Sequence, residues 1–161
     1  MTTDPNRSGA IAGRRPVGAV LILLGLAAML AVLPTRGVGR AQGDRPLKVV
    51  VHVDFAQTTH QKQGLGNVEN ILKAANDQGI KADVEIVCHG PGIRLVEKAQ
   101  TELAAEVAAL ANQGVRFVAC ENTMRQRTLG PEDLLPGVGT VPSGAFEVVR
   151  RQQDGYAYFK P

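Results

Sequence analysis

The chain has 161 residues, with 18 lysines and arginines against 15 aspartates and glutamates, which gives a formal net charge of +3. Five arginines and one aspartate lie within the first 41 residues, so the remainder carries 13 basic and 14 acidic residues, a net charge of −1. A remainder of this size is typical of one domain with a single core. Because it lacks an excess of basic residues, nucleic-acid binding is disfavoured.

The N-terminal segment has the pattern of an export signal. Arg14 and Arg15 precede an uncharged stretch, residues 16–34, that is dense in Leu, Ala and Val. Gly39-Arg40-Ala41 then offers small residues at the two positions that a signal peptidase reads. This order of features predicts secretion by the Sec or the twin-arginine route.

The predicted organisation follows from that signal. Residues 1–41 form the signal peptide, residues 42–46 a short tether and residues 47–161 the folded domain, which we expect in the periplasm or otherwise exported. A retained anchor facing the periplasm is the alternative, because the apolar residues 17–33 reach the lower length limit for a membrane span. The protein would then contact the membrane only through this leader.

The domain contains five predicted strands. Residues 47–55 are β-branched and apolar on both faces, which predicts a strand in the middle of a sheet. Residues 82–88 alternate, with Asp83 and Glu85 on one side, which predicts a strand nearer an edge. The other strands are predicted at residues 115–120, 138–141 and 156–160.

Helical periodicity separates these strands. A first helix is predicted over residues 67–78 after a loop at 56–66, a second from Thr101 as N-cap to the stop at Gly114, and a third from the cap Ser143 to about residue 154. Strands that alternate with helices in this way form parallel sheets. The predicted fold is therefore α/β, a five-stranded mainly parallel sheet with helices on both faces.

Several chemically capable side chains follow the predicted strands. Asp54 ends the first strand, Cys88 and His89 the second, and Cys120 and Asn122 the third. In open parallel sheets, ligands bind beyond the carboxyl ends of the strands, so these residues predict a site at that edge.

Cys120 is the candidate nucleophile of this edge. The residues after it can begin a helix, whose N–H groups and positive dipole end favour a thiolate, and Arg125 can add to this effect. The alternative is a buried cysteine that serves as a small apolar residue. A disulfide between Cys88 and Cys120 is open as well, provided that their strands are neighbours and the Cα atoms lie within about 7 Å.

Metal and anion sites receive less support from the sequence. His52, His60 and His89, with Asp54 and the cysteines, supply donors, but their spacing matches no tight ligand motif, so we expect no metal and no other cofactor. We interpret His52 as a hydrogen-bonded core histidine. Gly64-Leu65-Gly66 could present amides to an anion, although Glu69 breaks the nucleotide-binding pattern. His89-Gly90-Pro91-Gly92 predicts a turn that leads into a short helix.

Five strings resemble the DsrE/DsrF-like sulfur-relay family, and in particular its exported, single-domain subgroup. They are VVVHVDF (49–55), CHGPGIRLV (88–96), FVACENTMR (117–125), EDLLPGV (132–138) and VPSGAFEVVRRQQDGYAYFKP (141–161). The resemblance implies a five-stranded α/β layer that assembles into trimers or hexamers, and some members of the family carry sulfur as a cysteine persulfide.

The resemblance also implies roles for individual residues. Cys120 matches the cysteine of the family and would be the catalytic, sulfur-carrying residue. The pocket around it would be formed by His52, Asp54, Cys88, His89, Asn122, Thr123 and Arg125. Cys88 departs from the family, in which a small apolar residue is expected at this position.

The expected function is that of an exported sulfur carrier, or a sulfurtransferase-like protein, which handles sulfane sulfur through a persulfide. Its partners would be further copies of the chain and a sulfur donor or acceptor, either a protein or a small sulfur compound. The alternative is a non-enzymatic small-molecule-binding or assembly module whose cysteines are inert, because no set of base, nucleophile and oxyanion donors is legible in the sequence.

Overall fold

A computed structural model describes residues 45–161 of the chain. The predicted signal peptide, its alternative as an anchor, and most of the predicted tether lie outside the described residues. Within the described residues, no helix combines the length and the apolar character that crossing a membrane requires.

The centre of the domain is a five-stranded, fully parallel sheet, as the sequence predicts. Its strands are ordered β4-β3-β2-β1-β5. Their bounds are β1 Leu47–Val53, β2 Ala82–Cys88, β3 Arg116–Cys120, β4 Gly139–Val141 and β5 Ala157–Phe159. The long apolar strand β1 lies between β2 and the short edge strand β5.

Four α-helices connect the strands. They are α1 Thr58–Asp77, α2 Ala104–Asn112, α3 Glu121–Arg127 and α4 Gly144–Gln153, with 3₁₀ helices at Gly90–Leu95 and Pro131–Asp133. The Ser143 hydroxyl caps α4, as predicted, by accepting a hydrogen bond from the Phe146 N–H at 3.4 Å. The turn predicted at residue 89 likewise leads into the first 3₁₀ helix.

One face of the sheet is covered by α1 and α2 and is almost entirely apolar. The side chains of Val51, Ile86, Val68 and Leu110 are buried there. Burying an aliphatic side chain of this size contributes roughly 1.5–3 kcal/mol. This layer is the main core of the domain.

The opposite face is covered by α4 and combines apolar with ionic contacts. Val50, Val87 and Val148 pack together there. Beside them Glu85 is fully buried and accepts hydrogen bonds from the guanidinium groups of Arg116 at 3.1 Å and Arg151 at 2.5 Å.

This ionic cluster corrects the predicted position of β2. The strand was expected near an edge because Asp83 and Glu85 alternate with apolar residues, but β2 is the central strand of the sheet. The alternation marks paired charges instead of solvent, since Arg116 also binds Asp83 at 2.7 Å. A buried carboxylate is tolerated when it is paired and hydrogen-bonded in this way.

Two helix starts also differ from the prediction. Helix α1 begins at Thr58, nine residues before the predicted start at residue 67, so the predicted loop and its anion-binding glycines lie mostly within the helix. Gly64 packs closely there, because a Cβ atom would lie 3.1 Å from the Pro161 ring. Helix α2 begins at Ala104, and the Thr101 hydroxyl instead accepts from the Leu103 N–H.

Candidate functional site

The parallel register brings three chain segments to one edge of the sheet. Val53 pairs with Cys88, and Cys88 pairs with Ala119. Asp54, His89 and Cys120 therefore follow one another across the carboxyl ends of β1, β2 and β3, where the sequence predicts a site.

The Cys120 sulfur lies at the junction between β3 and α3, close to several hydrogen-bond donors. The backbone N–H groups of Gly144, Thr123 and Asn122 and the Thr123 hydroxyl are near enough to stabilise its charged form. Only 5% of the residue is exposed. Burial disfavours the thiolate, but these donors outweigh that penalty and hold the pKa of Cys120 below its ordinary value. This environment favours the thiolate form of Cys120.

Gly144, the first residue of α4, is a site residue that the sequence analysis missed. A Cβ atom at this position would lie 2.9 Å from the His89 Cβ and 3.1 Å from the Cys120 Cβ. Its lack of a side chain allows the N-terminus of α4 to approach the sulfur closely. The signal was present in the helix cap Ser143, which the sequence places immediately before a glycine.

Two histidines lie beside this glycine. The rings of His52 and His89 are stacked, with centroids 4.7 Å apart and planes inclined by 13°, and their Nε2 atoms are in contact. The His52 Nδ1 atom is 2.8 Å from the Tyr158 hydroxyl. Burial, followed by repulsion from His89, lowers the pKa of His52, and burial also lowers the pKa of His89. Both shifts favour the neutral imidazole.

A charged pair completes this group. The Asp54 carboxylate lies 3.9 Å from the His52 Nε2 atom and 2.7 Å from the Lys160 ammonium. Burial would raise the pKa of Asp54, but the bond from Lys160 and the nearby histidines hold it below its ordinary value. Tyr158 and Lys160 were not singled out from the sequence, because their place in the site depends on the pairing of β5 with β1.

The environment of Cys88 is apolar, in contrast to that of Cys120. It is fully buried in the apolar layer under α1 and α2, and burial raises the pKa of its thiol to about 12. Its strand does neighbour that of Cys120, but the pairing of Cys88 with Ala119 places the two cysteine side chains on opposite faces of the sheet. Both cysteines are free, so the disulfide left open by the sequence is absent from this structure.

The remaining predicted pocket residues have distinct positions. Thr123 bridges two segments, since its hydroxyl oxygen also accepts from the Gly90 N–H at 2.9 Å. Arg125 is largely exposed. Its guanidinium group donates a hydrogen bond to the Asn122 side-chain oxygen and lies 3.8 Å from the Glu121 carboxylate, so its positive charge is paired with these groups. His60 lies on α1, where its ring contacts Phe55 edge-on, and is not part of the group around His52.

A cavity of about 330 Å³ lies next to Thr123, between the first 3₁₀ helix and α3. Its lining includes two arginines and a glutamine, with small residues between them: Ala56, Gly90, Pro91, Arg94, Thr123, Gln126 and Arg127. Arg127 is paired with Glu97 at 2.8 Å, so the charge of Arg94 is the one that favours a small anionic ligand. Because Thr123 also contacts the Cys120 sulfur, the cavity and the thiol share one wall.

Known proteins resemble this chain in sequence and in fold. The protein of unknown function MTH1491 from Methanobacterium thermoautotrophicum is 34% identical, with a TM-score of 0.65 over 70% of this chain and 97% of that chain. The YchN protein from E. coli is similar in fold, with 12% identity and a TM-score of 0.56 over 71% of this chain and 98% of that chain.

No curated protein gives a significant match. The DsrE/DsrF-like family matches residues 48–161, which include every strand and helix described above except Leu47, the first residue of β1. The family resemblance of the five sequence strings is thereby confirmed, and the chain belongs to the DsrE/DsrF-like family.

Proposed function

We propose that the protein carries sulfane sulfur as a persulfide on Cys120. Membership of the DsrE/DsrF-like family suggests a sulfur-relay role in general. The observation that carries the specific proposal is the set of four hydrogen-bond donors around the Cys120 sulfur, which lowers the pKa of the thiol despite its burial. Thiolate is the form of cysteine that attacks sulfur.

The proposed reaction has two balanced steps. With thiosulfate as donor, the Cys120 thiolate attacks the sulfane sulfur, an S–S bond forms, and sulfite leaves with the electron pair of the broken bond. An acceptor thiolate then attacks the outer sulfur of the persulfide, and Cys120 leaves as a thiolate. The donors that stabilise this thiolate assist the second step because they lower the pKa of the leaving group.

The cavity beside Thr123 is suited to a small anionic sulfur donor. Arg94 in its lining can neutralise an oxyanion such as the sulfonate end of thiosulfate. A compact donor also suits a thiol of which only 5% is exposed.

The test is intact-mass measurement after incubation of the reduced protein with polysulfide or thiosulfate. Wild type and the control Cys88→Ala should gain the mass of one sulfur atom, which a reductant removes, and Cys120→Ser should gain none. Cys120→Ser keeps a hydrogen-bonding hydroxyl in the same place, so it separates loss of the thiol from loss of the local structure. A folded, reduced wild type without any adduct would support the inert binding or assembly module instead.

We also propose that the chain is exported through its N-terminal segment. Support comes from the apolar stretch after Arg14 and Arg15 and from the small residues around Ala41. Mass measurement of the protein recovered from the periplasm should give a chain beginning at residue 42. A full-length chain confined to the cytoplasm would contradict export.

Assembly into a trimer or hexamer is a further proposal. Phe146 and Val149 on α4 are 67% and 52% exposed, and Tyr158 on the edge strand is also exposed. Exposed apolar side chains on one surface are typical of subunit contacts. Light scattering should give the mass of three or six chains, and Phe146→Asp should reduce it; a monomeric wild type at high concentration would contradict the proposal.

A further inference from the structure

Three potential metal ligands converge at the carboxyl ends of β1 and β2. One nitrogen from each of His52 and His89 and one carboxylate oxygen from Asp54 all lie within 4.8 Å of one another. Their convergence follows from the register, because His52 and Val87 are paired and Asp54 and His89 each lie two residues further along the chain. A single ion could bind all three side chains after small adjustments.

The histidine orientation suits an ion between the rings. The two Nε2 atoms face each other, and at most one of them can carry a proton in that position. The Tyr158 hydroxyl oxygen lies 2.8 Å from the His52 Nδ1 atom and can accept a hydrogen bond from Nδ1–H, which leaves the Nε2 lone pair available. An outer partner of this kind commonly fixes the tautomer of a metal-binding histidine.

We propose that His52, His89 and Asp54 form a binding site for a divalent transition-metal ion such as Zn²⁺ or Co²⁺. Two imidazoles and one carboxylate favour these ions over Mg²⁺ and Ca²⁺, which prefer oxygen ligands throughout. Three protein ligands leave a coordination position open for an exogenous ligand. The proposal does not depend on persulfide formation at Cys120.

The site borders the thiol without including it among the three ligands. Gly144 separates them, since a Cβ atom there would contact both the His89 and the Cys120 side chains. Lys160 acts against metal binding, because its ammonium group lies 2.7 Å from the Asp54 carboxylate and would be close to the ion. Lys160 and Tyr158 are not ligands, so they provide independent variants for a test.

The test is titration of the chelator-treated full-length chain with Zn²⁺ by calorimetry and with Co²⁺ by visible absorption. We expect one ion per chain, with affinity reduced at least about 100-fold in His52→Ala and His89→Ala and less in Asp54→Asn. His60→Ala is the matched control, because this exposed histidine on α1 lies outside the group and should leave the affinity unchanged.

Two variants outside the ligand set keep the test decisive if a histidine variant fails to fold. Tyr158→Phe should weaken binding about tenfold by freeing the His52 ring, and Lys160→Met should strengthen it about tenfold by removing the nearby positive charge. Cys120→Ser should bind as wild type does, which separates this proposal from the persulfide. Absence of binding to wild type, or binding that survives in His89→Ala but not in Cys120→Ser, would overturn the site.

Discussion

The two cysteines end adjacent strands, yet the fold gives them opposite chemistry. Cys88 lies in the apolar layer under α1 and α2, where burial raises the pKa of its thiol to about 12. Cys120 lies on the face covered by α4, where N–H groups from two helix starts reach its sulfur and its pKa is lowered. The difference arises from register, because the residue paired with Cys88 is Ala119 and the next residue points to the other face.

Burial alone does not decide whether a cysteine of this domain is reactive. Both cysteines are buried, with 0% and 5% of their surface exposed. What distinguishes them is the presence of donors, since a buried thiolate is stable only where hydrogen bonds replace its solvation. The face of the sheet toward which a cysteine points decides whether such donors can reach it.

The largest expected effect is on alkylation of the native protein by a small neutral reagent. At pH 8 a thiol with a pKa of about 12 is ionised to only about 1 part in 10⁴, so Cys120 should react at least about 100-fold faster than Cys88 even after allowance for its weaker intrinsic nucleophilicity. Peptide mapping of the labelled chain measures both rates. In denaturant the two rates should become similar, and comparable rates in the native state would remove the contrast.

A smaller effect is expected from Gly144→Ala, which alters the surroundings of Cys120 but not those of Cys88. The new Cβ would approach the His89 and Cys120 side chains to 2.9 and 3.1 Å and displace the start of α4. Loss of the stabilising Gly144 N–H should raise the pKa of Cys120 and slow its alkylation near neutral pH by up to about tenfold. The pH dependence of the alkylation rate measures this shift.

Gly66→Ala is the control for that substitution. Gly66 lies within α1, and a Cβ there would meet no atom within 4 Å. The control should leave the alkylation of Cys120 unchanged and stabilise the fold by about 0.5–1 kcal/mol, because alanine favours a helix over glycine. An equal loss of Cys120 reactivity in both variants would show that the approach of α4 is not the cause.

The smallest effect on sulfur transfer is expected at Cys88. Cys88→Ser buries a hydroxyl among apolar side chains and should lower the free energy of unfolding by about 1–3 kcal/mol, and the persulfide yield at Cys120 should stay unchanged. Denaturant unfolding and intact mass measure the two quantities. Cys88→Ala, which adds no polar group, separates the cost of the hydroxyl from the loss of volume, and reduced sulfur loading in either folded variant would assign Cys88 a part in the chemistry.

Much of the fold could be predicted from local patterns. The order of strands and helices, the cap at Ser143 and the turn at His89 follow from periodicities and turn residues that act over a few positions. Prediction failed where a local sequence pattern was explained by contacts between residues that are distant in the chain. The glycines of α1 suggested a loop, although Gly64 makes room for Pro161, and the acidic residues of β2 suggested an edge, although Arg116 and Arg151 neutralise Glu85 at the centre.

The candidate site, like the fold, was predictable from the sequence only in part. The sequence by itself determined that Asp54, His89 and Cys120 reach one edge, because parallel strands carry their ends to the same side of a sheet. Only the tertiary structure decided that His52 and His89 stack, that Tyr158 and Lys160 join them, and that Gly144 brings a second helix start to Cys120. The physical reason is that these contacts depend on which strands pair and in which register, and such pairing is set by packing across the whole domain.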